Sequence, residues 1–302
     1  NPTDASSTWT MPLLAATWRQ LDALPDQDVT LNTMITTFNA VSGGGGSYAE
    51  GATTVDVGQG IGGDYEYLDN TVRHEIGHGV HAQIKGEVNQ WLANDMGFVT
   101  MPSFRAWIDA LGGFPAHFTD SHGNQVAFDA GWQSAVVQMV ENYTGSGSWN
   151  PAAVSPAAGQ HADLVAAWNA MPAAVKNACA QSTSNWYLNY ANFQVAGGKH
   201  YFLNHWYHQP YVIGAKAFQT IPQTNDMYSA MSDFEFFATC YAEYFRDPTG
   251  AKNHKNWGGN LSGTVKSFFS QVVVQRPSSG PPGPKSAAKS TSSCCACATN
   301  CM

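Results

Sequence analysis

TVRHEIGHGVHAQI, residues 71–84, is the stretch on which the reading of this chain turns. Within it His74, Glu75 and His78 stand in the order His-Glu-x-x-His. Leu68, Val72 and Ile76 recur every fourth residue around them, which is the spacing of a helix. On an α-helix, side chains four apart are separated by about 40° around the axis and ~6 Å along it, so the imidazoles of His74 and His78 converge on one ion. Glu75 lies roughly 100° round from His74, where it faces a water on such an ion instead of the ion itself. The chain holds only 10 His and seven Glu in 302 residues. Random placement yields this pattern in roughly one such chain in a hundred, which makes accident a poor explanation.

Hydrolytic zinc takes three protein ligands and leaves a fourth position for water, so a third side chain must come from elsewhere. A His-x-x-Gly-x-x-His continuation is closed: His81 stands where that pattern needs Gly, and Ile84 where it needs His. The glutamates downstream are Glu87, Glu141, Glu235 and Glu243. Glu141 has no supporting pattern and reads as solvated. Glu235 lies in MYSAMSDFEFFATCYAEYFRD, whose apolar spacing indicates a buried helix; an isolated carboxylate there is costly unless metal or hydrogen bonds satisfy it. Glu243, two turns further on, reads as a partner to a ligating His. Glu87 remains a rival ligand, with Gly86 beside it to end the helix and turn the chain back.

At these residues the sequence resembles the zincin metallopeptidases typified by the anthrax lethal factor catalytic domain and the bacterial Pro-Pro endopeptidases. Those families join HExxH to a later helix of the form Tyr-x6-Glu-Phe-Phe-Ala, and Tyr228, Glu235, Phe236, Phe237 and Ala238 match it. The likeness covers some 35 residues, Thr71–His81 and Tyr228–Asp247. It implies that His74, His78 and Glu235 hold Zn2+, that Glu75 is the general base and that Tyr228 stabilises the oxyanion. It also implies an α+β, zincin-like fold, mostly helical with a small sheet beside the HExxH helix. Two departures stand out. Thr239 occupies a position where those families carry an acid, and 156 residues separate His78 from Glu235, so an insertion is expected at about 82–226. The spacing HExxH-x8-Glu to Glu87 is similar instead to mucin-active, enhancin-like peptidases.

Composition sets the bounds around this motif. The hydrophobic share of 43%, with 10 Trp, fills a substantial core without staples. Charged residues are only 12%, which points to an extracytoplasmic, secreted protein. A net charge of -8 without a Lys/Arg run argues against nucleic acid, and no apolar run approaches the ~20 residues that span a bilayer. The resemblance implies a protein or peptide substrate, hydrolysed by a zinc endopeptidase that is secreted or delivered outside the producing cell as a toxin or effector. The alternative is a non-catalytic binding protein with a structural zinc.

Along the chain, 11–24 reads as an amphipathic helix, 28–41 as strand-rich and SGGGGS at 42–47 as a flexible break. ATTVDVGQG, 52–60, alternates like an edge strand onto which a peptide can add. Further helices are expected near 103–111, 127–143, 161–180 and 260–272. His200, His205 and His208 among aromatics read as packing, with a substrate groove as the sharper alternative. The catalytic domain is expected to span 1–274, followed by a Pro/Ser/Gly/Lys linker at 275–293 and a Cys-rich tail at 294–302. Cys179 and Cys240 read as buried thiols, with a disulfide as the other possibility.

Overall fold

In a computed structural model of the protein, residues 9–43, 45–58, 65–144, 160–183, 194–196, 199–204, 209–224, 229, 232–246 and 260–276 are described. Helix α1, Met11–Ala23, starts where Thr10 caps it: the Thr10 hydroxyl accepts from the Leu13 N–H, and a proline sits in the first turn. Its buried face, Leu13, Ala16, Thr17 and Gln20, packs on helix α2, Tyr65–Gln83, which carries the HExxH residues.

Between them in sequence comes a three-stranded sheet of β1, Thr37–Val41, β2, Gly46–Ala49, and β3, Thr54–Gly58, in the order β1-β3-β2. β1 runs parallel to β3 and β2 antiparallel to it. Val55 and Val57 are fully buried with Ala40 close to it. Asp56 turns the other way and accepts from Asn39 and Ser47.

Two expectations change here. Residues 28–36 are turns, not strand. Asn32 donates to the Asp28 carbonyl and accepts from the Met34 N–H, so side-chain-to-backbone bonds take the place of a ladder while Val29 and Ile35 still enter the core. And the strand inside 52–60 is central, while the edge is Gly46–Ala49, cut partly from the expected glycine break. Alternation reports one buried face; it does not report whether a neighbour supplies hydrogen bonds.

Helix α9, Asp233–Tyr244, is capped by Ser232, whose hydroxyl accepts from the Glu235 N–H, and it is buried from Glu235 to Tyr244. It crosses α2 at Gly77. A methyl group there would meet Tyr241 Cβ at 3.0 Å and Ala238 Cα at 3.1 Å, so any side chain would press the helices apart by a few tenths of an ångström. Helix α10, Gly263–Phe268, runs on into a π turn, Phe269–Val273, and its rings complete an aromatic core: Trp91 stacks on Phe268 at 4.4 Å and Phe237 on Phe269 at 5.4 Å. Arg276 closes this body. It is bonded to Asp28, Gln83 and the Val273 and Gln27 carbonyls, while the Tyr241 hydroxyl donates to the same Asp28.

A second core occupies residues between Phe104 and Val212. It is built on α4, Phe104–Ala110, α5, Ala130–Thr144, α6, Gln160–Ala170, and α7, Ala173–Thr183. The hairpin of β5, His117–Thr119, and β6, Gln125–Ala127, joins it. So does an antiparallel sheet ordered β4-β9-β8-β7, of Val99–Thr100, Gln209–Ile213, Lys199–Asn204 and Gln194–Ala196. The single helix expected at 161–180 is two, parted at Met171 and Pro172, because proline supplies no N–H to continue the ladder. Helix α3, Lys85–Trp91, which follows a break at Ile84, and the short α8, Ala215–Thr220, are not among the expected helices.

The protein is α+β, predominantly helical with small sheets. No helix among the described residues is long and apolar enough to cross a membrane. The expected linker from 277 on and the Cys-rich tail lie outside the described residues. Cys240 is a free, buried thiol.

Candidate metal centre

α2 and α9 bring together three side chains that the sequence holds far apart. His74 Nε2 lies 2.9 Å from Glu235 Oε2, across 161 positions of chain, and His78 Nε2 lies 3.4 Å from the same oxygen. The two imidazoles meet edge to face, with centroids 4.7 Å apart. One ligand atom from each of the three lies within 4.8 Å of the others. All three side chains are buried. Glu235 owes its place to the Ser232 cap, which sets it in the first turn of α9, where the helix N-terminus favours a carboxylate.

Electrostatics match a cation site. Burial pushes His78 down to about 4, with neighbouring His74 adding to the effect, so its ring is neutral and keeps a lone pair. Burial pushes Glu235 upward, but hydrogen bonds and charge from His74 and His78 outweigh it and hold the carboxyl below its usual range. A neutral His78 ring and an ionised Glu235 are protonation states that zinc ligation uses. Thr239 Oγ1 lies 3.4 Å from His74 Nδ1, on the side that leaves Nε2 for the cluster. His78 stacks on Phe234 at 4.4 Å, and its Nδ1 is buried without a hydrogen-bond partner among the described residues. A donor set of two imidazole nitrogens and one carboxylate oxygen fits zinc in a site with one open position.

Glu75 is not part of this trio. Its side chain lies against the backbone of β2 at Gly46. Burial lifts its carboxyl to about 7, with Glu235 and Asp56 adding and His74 opposing. Tyr48, two residues on along β2, lies nearly parallel to the His78 ring at 6.4 Å, and its hydroxyl donates to the Met34 carbonyl.

The other candidates separate cleanly. Glu87 is exposed on α3 and outside the trio, and Glu141 is exposed on α5. Glu243, expected beside a ligating His, instead accepts from Asn260 and pairs with Arg246, because two turns of α9 carry it away from the cluster. Tyr228 lies outside the described residues, as do His205 and His208; His200 stacks on Phe218 at 3.6 Å. His81 bonds Asn89 and packs on Phe234 and Phe237. A second group, Asp120, His122 and Asp163, meets at the β5–β6 turn. Its carboxylates accept from the backbone N–H groups of Ser121, His122 and Asn124, which is the work of a hairpin tether.

Gly46 and Phe234 carry no motif of their own and were not singled out by the sequence; Thr239 stood out only as a departure from the resembled pattern. No protein-family model, curated protein or solved structure matches this chain.

Proposed function

We propose that the protein is a zinc-dependent endopeptidase with a zincin-like catalytic core, in which His74, His78 and Glu235 hold the metal and Glu75 is the general base. What carries the reading is the convergence of Glu235 on the HExxH imidazoles from a helix 161 positions away, with Glu75 left out of the ligand set. A purely structural zinc takes four protein ligands and has no need of a buried acid beside an open position.

Bound zinc supplies Lewis acidity: it polarises the scissile carbonyl and lowers the pKa of water at the open position. Glu75 takes the proton of the attacking water and passes it to the leaving amine. Burial lifts this carboxyl in the metal-free protein, and a bound cation beside it would oppose that lift and favour the ionised base. Glu235 and the neutral His78 ring stay fixed by their mutual contacts and by Phe234. Tyr228 donates to the developing oxyanion.

The sheet edge supports a polypeptide substrate. Gly58 N–H donates to the Gly45 carbonyl, so Gly45, Ser47 and Ala49 bond inward to β3. Gly46 and Tyr48 therefore turn their N–H and C=O outward, on an edge with no other strand among the described residues. An extended peptide that adds to this edge runs past Glu75.

The test is metal content together with cleavage. Purified protein is expected to bind one zinc per chain and to cleave a degenerate peptide library, and Glu235→Ala is expected to lose both. Absence of stoichiometric zinc in the purified protein overturns the reading.

A further inference from the structure

The closest approach in the site is between strand and helix, at a residue with no side chain. A Cβ placed on Gly46 would lie 2.7 Å from both Cγ and Oε1 of Glu75 and 2.9 Å from Thr71 Cγ2. These are distances that real contacts do not reach, so something must move. The β2 backbone is held in register by β3, with Gly46 opposite Val57 and Gly58 bonded to Gly45. Thr71 is β-branched and has only two χ1 rotamers open to it on a helix. Glu75 is buried, but its long side chain turns about several single bonds and gives more readily than the strand backbone. The mobile partner left is the Glu75 carboxylate arm.

We propose that Gly46 is a positioning residue for the general base: its bare backbone lets the edge strand rest directly on Glu75 and fixes the carboxylate beside the ligand trio. The same contact ties the edge to the base, so a peptide paired with Gly46 and Tyr48 has a set distance from Glu75. The consequence for catalysis rests on the metallopeptidase reading; the steric coupling of Gly46 to Glu75 does not. The three atoms nearest that Cβ belong to Glu75 and Thr71, so a side chain at 46 acts first on the base and not on His74, His78 or Glu235.

The experiment uses the full chain with Gly46→Ala, Glu75→Ala and both together, and Gly51→Ala as a control, because a methyl at Gly51 meets nothing within 4 Å. The first readout is thermal stability of the metal-free proteins. Gly46→Ala is expected to lower Tm by several degrees in the parent, and its penalty is expected to shrink by more than about half when Glu75 is already Ala, because the two substitutions are coupled through one contact. Equal penalties in both backgrounds overturn the proposal, as does a Gly46→Ala effect no larger than that of Gly51→Ala. Should Gly46→Ala alone fail to fold, the double variant is expected to fold, and its failure also overturns the proposal. The second readout is turnover. Zinc stoichiometry stays at one per chain while kcat for library peptides falls about 100-fold, with KM within about twofold of the parent. A parent that neither binds zinc nor cleaves defeats the function reading alone and leaves the stability cycle intact.

Discussion

Glu75 and Glu235 are two buried carboxylates that feel each other's charge and have opposite tendencies. Glu235 is held ionised by the imidazoles around it, whereas burial keeps Glu75 protonated up to about 7. In metal-free protein, an acid whose pKa is raised on folding contributes stability below its unfolded value near 4.5 and loses it as pH rises through about 7. Glu75→Gln is therefore expected to leave Tm unchanged at pH 4 and to raise it at pH 8, by an effect of up to ~3 kcal/mol. Thermal scans of the metal-free pair at both pH values check this, and equal shifts at the two contradict it. With zinc, Glu75→Gln is expected to nearly abolish cleavage at full metal occupancy. Tyr228→Phe is expected to lower kcat about 10²–10³-fold without loss of metal, measured by steady-state kinetics and metal analysis. The histidines and glutamates of the cluster were legible in the sequence because ligand chemistry is confined to few residue types at fixed spacing. Gly46 was not, since a glycine that matters for what it lacks leaves no local signature.

Helices α2 and α9 form the site by touching at Gly77, where the interhelical gap is set by a missing methyl. Gly77→Val forces the helices apart and moves Glu235 off the imidazoles. We expect it to lower Tm and to weaken zinc affinity by more than about tenfold, against a much smaller change for a substitution at exposed Gly86. Competition with a chromophoric chelator measures it, and unchanged affinity would contradict the helix-contact argument. Amphipathic spacing made α1, α2, α4 and α9 legible, and Thr10, Ser103 and Ser232 cap three of them where a hydroxyl residue precedes the apolar run. The elements misread were those set by tertiary context. Residues 28–36 satisfy their backbone with Asn32, and β2 exists because β3 offers it a register that glycines accept.

The first body of the molecule is closed by a long-range pin. Arg276, at the end of the described chain, and Tyr241 of α9 share the fully buried Asp28, and Arg276 also reaches Gln83 at the end of α2. Removing one partner strands a buried charge, so Arg276→Met is expected to cost about 3–5 kcal/mol, read as a fall in the urea midpoint. A loss below about 1 kcal/mol would show that Asp28 finds other company. Contacts between residues about 250 positions apart leave no trace in a single sequence, and neither does the second core between Phe104 and Val212. The most direct test of the whole account is to strip the protein of metal and follow cleavage of a degenerate peptide library as zinc is restored. Activity is predicted to rise to a plateau at one equivalent in the parent and to stay absent in Glu75→Gln, which binds the same equivalent. Cleavage that ignores zinc, or a Glu75→Gln protein as active as its parent, would contradict it.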